Sequence, residues 1–540
     1  MKQILFILFA VFANVAMAQT PKFNILWEKE LNKEVQGENS NLSPYLGEDE
    51  NAYYFLSSKF NKVMYTEKYG IVKYDKKTLQ PVSVKPLDGM KNVLLRESFW
   101  IGDEKYLRFW ENPRKSSSTY GIYRLNMQNM TLESVTKQFF SGLNFKNWSY
   151  TYASPDKSKV MIVFLKDEQK HNTKQKFQLI VFDNHFNKLW EKEMETPFLH
   201  NNVSNSEVDF TLDNSGNVYL YGKLYNENLK NISIGNNTSQ YIEYTFNIIK
   251  LSEDGSKQQD FKLDINGHLY NKCNLQIDKQ NNLLVFGLYS DKNMKTTGAC
   301  YFLLDKDFKT VKNLSFQEIP LKWQLLYIEN SEARYIEKNI TERFSGFQFS
   351  KPFYTENGDI IIYVENRYLL VSNPTENPTE ALMSTSKAPQ RIRNIFVAKD
   401  AYVFRITPEK TLAWMKRVPK NQRAVDDETS GWTAFSSGAG CLPFLSGDSF
   451  SLLFADNDKN LNVKENSENA AQENIGNNPF YCVTLDKDGK QTKQAVAGIK
   501  EDKFIPGLRE GIYLTNDSYL LYARTKDNGK RKLGIISLGK

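Results

Sequence analysis

Over most of its length the chain alternates apolar and polar residues with a period of two, interrupted by short clusters of Asp, Asn, Gly and Ser. Period-two alternation places every second side chain on one face of a strand, and the interrupting residues are those that tolerate positive φ or close an Asx turn. The unit is plainest in Asp213-Asn-Ser-Gly-Asn-Val-Tyr-Leu-Tyr-Gly222 and Asp278-Lys-Gln-Asn-Asn-Leu-Leu-Val-Phe-Gly287. It returns at Glu48–Phe55, Gly102–Phe109, Ser154–Val163, Glu356–Val364, Gly447–Phe454 and Asn516–Tyr522. A second strand follows each hairpin, as in Ile71-Val-Lys-Tyr-Asp75 and Tyr301-Phe-Leu-Leu-Asp305, and then a tight turn and a third. No comparably sustained helical period competes with this pattern.

Four strands recurring at roughly 50 to 90 residues are expected of propeller blades carrying loop insertions. Eight such units begin near Leu42, Val93, Trp148, Val208, Asn274, Phe347, Cys441 and Phe504. The fold class is therefore all-β, a single eight-bladed propeller of four-stranded antiparallel blades. Two or three sandwiches in series would show similar strands, but one motif is spread evenly here without a Pro- or Gly-rich linker between groups. The last unit has only Ile512–Thr515, Tyr519–Arg524 and Lys532–Ser537 after its start at Phe504. Residues 23–31 repeat the pattern of Lys188–Met194, the outer strand of the third unit, so they are expected to complete the eighth blade against 532–537. Trp27 should then pack as Trp190 and Trp414 do in their own outer strands.

Ala153-Ser-Pro-Asp156 followed by an apolar strand resembles the repeat of TolB-type and WD40-like propellers. Phe182-Asp183 through Leu189-Trp190-Glu191 is similar to the repeat of quinoprotein-like, eight-bladed propellers. The resemblance is to a superfamily and implies the propeller fold. Quinone-dependent dehydrogenases of that form carry a vicinal Cys pair, which this chain lacks, and no cofactor is expected.

Lys2, the apolar run Ile4–Val15 and Ala16-Met17-Ala18 form a secretory leader, with 1–18 removed and 19–540 forming the propeller. The expected location is periplasmic or secreted, and no later apolar run is long enough to span a membrane. Charge adds little. The formal +7, from 70 basic and 63 acidic side chains, is too diffuse for a nucleic-acid binder. Cys273 and Cys441 fall on inner strands and Cys300 and Cys482 on third strands, two strand spacings apart, so neither Cys273–Cys300 nor Cys441–Cys482 should be bridged. The four His and four Cys lack metal-binding spacings.

Within a blade, the first and third turns share one end and the second turn and the inter-blade connector share the other. The long segments 225–243, 316–346, 366–395, 419–438 and 456–479 all fall at that second end, where binding is expected. Of these, 456–479 reads as disordered from its polar composition. Arg423 to Gly440 holds the candidate ligand-binding residues Arg423, Asp426, Asp427, Glu428 and Trp432. The carboxylates suit a cation or acid–base work and Trp432 suits a sugar ring; the other reading is a solvated acidic loop. Asp456-Asn-Asp-Lys-Asn460 opens like a calcium loop but lacks the central Gly and the closing Glu. G-x-S-x-G is absent, and no residue is assigned a catalytic role. Two functions stay open. One is a non-enzymatic, monomeric binding or scaffold protein for a peptide, glycan or envelope partner, and the other is a hydrolase or lyase acting on a polysaccharide or peptide.

Overall fold

The computed structural model describes residues 22–28, 40–61, 66–87, 90, 93–111, 119–136, 149–166, 173–199, 208–225, 244–278, 281–290, 296–308, 311–324, 347–372, 393–425, 439–463, 465, 470–471, 473–474, 479–499, 504–508, 511–525 and 531–539. Their strands form eight sheets, six of them four-stranded antiparallel meanders in chain order, while blade six carries added strands, one pair of them parallel, and blade eight takes its outer strand from the other end of the chain. Inner strands are Ser40–Glu48, Val93–Ile101, Ser149–Ala153, Asp209–Leu212 and Leu269–Ile277 for blades one to five. Blade six begins with Phe347–Phe349 and Phe353–Tyr354, blade seven with Leu442–Ser446, and blade eight with Phe504–Pro506 and Ile512–Thr515. Their number is the eight expected from sequence.

The hairpin clasps explain why the turn residues recur. Asp213 Oδ1 accepts the backbone N–H groups of Ser215, Gly216 and Asn217, while Oδ2 takes the Asn217 amide and the Tyr219 hydroxyl. In Asp278 with Asn282 and Asp183 with Asn187 the Asn again donates both its backbone N–H and its side-chain amide to the Asp carboxylate. An Asp four residues before an Asn thus closes the turn with side-chain bonds that the backbone alone cannot supply. These turns also touch their neighbours around the ring. Gly102 N donates to Lys157 O, Asp156 N to Asn214 Oδ1, and Asn357 Nδ2 to Asp448 Oδ2.

Buried side chains fill the interfaces between consecutive blades, including that between eight and one, where Tyr53, Phe55 and Tyr74 pack with Leu520 and Leu533. The ring is closed by strand exchange. Phe23–Trp27 pairs antiparallel with Arg531–Leu538, Phe23 opposite Leu538 and Trp27 opposite Gly534. Glu28, fully buried, extends the seam: its N–H donates to Leu533 O at 2.9 Å and its carboxylate accepts from Leu533 N at 3.1 Å.

Trp27 departs from the expected equivalence. Trp190 lies against Gly255, and Trp414 against Gly489 with its indole donating to Lys487 O, each at the outer turn of the next blade. Trp27 instead lies on Gly534 of its own blade and donates to Gly498 O at 3.4 Å. Trp190 and Trp414 sit near the tight turn that opens their strand, whereas Trp27 is the last residue of its strand.

Blade six is supplemented. Ile360–Ser372 and Arg393–Ile406 run past the blade end, so 366–372 and 393–395 are strand, while 373–392 lies outside the described residues. Gln422–Val425 pairs with the start of Arg393–Ile406, and Glu473–Asn474 adds a parallel rung. The polar Glu365-Asn-Arg367 is a bulge with the ladder continuing beyond it.

Segment 456–479 is corrected in part, for its described residues; 464, 466–469, 472 and 475–478 lie outside them. Asp456, Asn460 and Ala470 are buried. Asp456 pairs with Lys493 at 2.6 Å and accepts from Asn460 Nδ2, whose side chain is bonded in both directions to the backbone of Ala471. Polar composition did not mean loose chain, because each buried polar group here has a partner.

Candidate functional site

Each inner strand runs from the long-loop end to a short turn, so its first residues stand at the long-loop mouth of the axis. On blade three, Tyr150 and Tyr152 share the strand face turned toward blade four, while Thr151 faces blade two. On blade four, Asp209 opens the inner strand and stands opposite Tyr221 in register.

Asp209 is exposed and held from three directions. Its Oδ1 accepts Phe210 N at 2.8 Å and the Tyr152 hydroxyl at 3.1 Å, and Oδ2 accepts the Tyr221 hydroxyl at 2.8 Å. Burial first, and then the Asp209 charge, hold the Tyr221 and Tyr152 hydroxyls well above their ordinary range. Tyr150 responds the same way but keeps 40% of its surface exposed. Behind this shelf lies Cys273, a thiol raised chiefly by burial and then by Asp209. Lys223, on the strand of Tyr221, has its ammonium 4.8 Å from the Tyr244 ring centre.

On the other face of blade three, Glu97 is bonded to Thr151 and paired at 3.0 Å with Arg108. Arg108 is 1% exposed, donates to Ser149 O at 3.1 Å and lies over the Tyr120 ring. Burial lowers its pKa while Glu97 opposes that change. A second cluster joins blades six and seven. The Glu365 carboxylate, fully buried, meets Lys420 Nζ at 2.5 Å and Arg367 Nε at 2.7 Å, the latter without hydrogen-bond alignment. Cys441 Sγ donates to it at 3.5 Å. Nearby, Arg417 pairs with Asp400 at 2.6 Å and donates to Glu465 O, and its own N–H reaches the Glu465 carboxylate.

This cluster is the base of the segment singled out in the sequence. Gln422 donates to Ala455 O at 2.8 Å and accepts from Gly440 N at 2.8 Å, fastening the two ends of 423–439 together. Arg423 is half-buried opposite Val397, and its Nε has no hydrogen-bond partner among the described residues. Asp426, Asp427, Glu428 and Trp432 lie outside the described residues. In the calcium-like run, Asp456 is neutralised by Lys493, Asn457 caps the short 3-10 turn Asp458–Asn460, and Asp458 accepts from Tyr481.

Sequence reading missed Tyr150, Tyr152, Asp209 and the Glu97–Arg108 pair. A signal existed for one of them: Arg108 is a cation inside the apolar strand Glu104–Glu111. For Asp209 there was none, because an Asp before a strand reads as any turn residue.

No family model and no curated protein matches the chain. Solved structures similar to it include the β-propeller domain of the Trilobed protease from Pyrococcus furiosus (11% identity, 70% of this chain and 93% of that one, TM-score 0.32). The WD40 domain of SCAP from fission yeast is 9% identical over 96% of this chain and 98% of its own, with a TM-score of 0.33. The acylaminoacyl peptidase of Pyrococcus horikoshii is 10% identical over 93% of this chain and 60% of that one, with a TM-score of 0.34. The fold assignment stands on the strand order and ring packing described above.

Proposed function

We propose that this propeller is an exported, non-catalytic binding protein that holds a peptide partner against its long-loop face. The reading is supported chiefly by how carboxylates near the long-loop end are engaged. Glu97 is neutralised by Arg108, and Glu365 by Lys420 and Arg367. A general acid or base needs a carboxyl whose proton is free to move to a substrate. Carboxylates fixed as ion pairs and acceptors instead build a rigid surface of set polarity. Export follows from the leader read at Lys2 to Ala18.

The test is to probe the full mature chain against peptide and glycan arrays while assaying it for turnover of peptides and polysaccharides. Retention of peptides without turnover is the expected result. Turnover abolished by D426N, D427N or E428Q would replace the binding reading with the hydrolase one. Retention of glycans alone would move the partner class.

A further inference from the structure

The mouth of blades three and four holds one carboxylate, Asp209, that forms no ion pair among the described residues, the nearby Lys223 ammonium lying over the Tyr244 ring. Glu97 has Arg108, Glu365 has Lys420 and Arg367, and Asp456 has Lys493. Asp209 has only neutral donors there: the Phe210 N–H and the hydroxyls of Tyr152 and Tyr221. A carboxylate offers about four lone-pair positions. Among the described residues three are occupied, two on Oδ1 and one on Oδ2, so one position on Oδ2 takes no donor from them, on an exposed side chain. Beside it the Tyr150 ring, 40% exposed, projects from the same strand face as Tyr152. An aromatic face and an anion on adjacent strands attract a cation by ring quadrupole and charge together.

We propose that Asp209 and Tyr150 form a subsite for an alkylammonium group, the side chain of a lysine in a bound peptide. The free acceptor position decides between cations. A guanidinium pairs best when it engages both oxygens in a fork, and that geometry is blocked on Oδ1, which already accepts two donors. An ammonium needs a single acceptor and can rest its methylene stem on the tyrosine ring. The subsite rests on the peptide-binding reading and names the side chain that reading lacks.

The experiment uses the full mature chain and three probes, the Nα-acetyl methylamides of lysine, arginine and norleucine, with binding followed by saturation-transfer NMR and titration. The lysine probe should bind and compete best, with norleucine weakest. Asp209→Asn keeps the size and an acceptor oxygen but removes the charge, and should weaken the lysine probe about tenfold. Tyr150→Ala should weaken it by less, and Tyr150→Phe should leave it unchanged. Thermal melts establish that each variant is folded, and Tyr150, being exposed, supplies a usable pair if D209N does not fold. Equal binding of lysine and norleucine, no lysine binding, or indifference to both D209N and Y150A overturns the subsite. Peptides retained on the array without lysine dependence remove the subsite and leave the binding reading standing. An array that retains no peptide removes the binding reading itself.

Discussion

At Glu365, three side chains that would each be costly to bury alone lie within ion-pair reach of one another. Removing one partner leaves the others charged and dry, so Glu365→Ala should cost about 3–5 kcal/mol in chemical denaturation. Adding Lys420→Met to it should recover part of that loss, because the stranded ammonium goes with it. Lys105 is a different case. It is 5% exposed, and burial followed by the Lys157 charge lowers its pKa from 10.5 to about 8. Below pH 8 it is charged in both states and the folded protein bears the full penalty. Between pH 8 and 10.5 the folded amine loses its proton before the unfolded one does, so stability rises with pH across that window, by ~3 kcal/mol at most. The difference between the parent and Lys105→Met should shrink over the same interval; a constant difference would refute the lowered pKa. The thiols of Cys300 and Cys482 are pushed up to about 12 and about 11, chiefly by burial, and are inert at neutral pH. Cys273 and Cys300 both face Gly287 in register, from opposite sides of one strand, which puts them roughly 9–10 Å apart. All four cysteines are free; their strand positions account for the absence of a Cys273–Cys300 or Cys441–Cys482 bridge.

Among the elements, the 456–471 stretch now carries a prediction opposite to the one its composition suggests. It supplies Asp456 and Asn460 to Lys493, and Glu465 to Arg417 and Lys416. Replacing 457–478 by a Gly-Ser turn should therefore lower the melting temperature clearly, since Arg417, fully buried, loses two of its acceptors. Strand elements were legible in the sequence because their signals are local: period-two alternation for each strand, and an Asp-x-x-x-Asn clasp for turns such as Asp213–Asn217. What sequence could not convey was pairing across distance. Nothing near Lys493 says that its partner is Asp456, and nothing near Glu365 names Lys420. Runs rich in Asn, Asp and Glu look alike whether they are solvated or knitted together, and only the partner decides. The candidate site was illegible for the same reason. Asp209, Tyr150 and Tyr221 belong to three strands of two blades, and their convergence is a property of the ring.

At the scale of the molecule, the ring depends on a seam five residues long, Phe23–Trp27 against Arg531–Leu538. Deleting residues 19–31 should lower stability sharply and expose the Arg531–Leu538 edge to pairing with other chains, which light scattering would register. A synthetic peptide of residues 20–31 should restore the melt. Gly534→Val is a more local probe, because a side chain there would meet the Trp27 ring. It should be destabilising by ~1–3 kcal/mol, and part of that should return when Trp27 is trimmed to Leu. The seam also sets a schedule. Glu28 and Leu533, which bond across it, are 505 residues apart in the chain. A ribosome adding about 5–20 residues per second would make the first partner roughly half a minute to two minutes before the second. Throughout that interval the closing strand is an orphan. The seven blades between must assemble as an open arc, and its first blade must wait for its last neighbour. Because contacts so distant in sequence form slowly, ring closure is expected to be the last and slowest event of folding, and delivery of the chain in an unfolded state would postpone it until synthesis was complete.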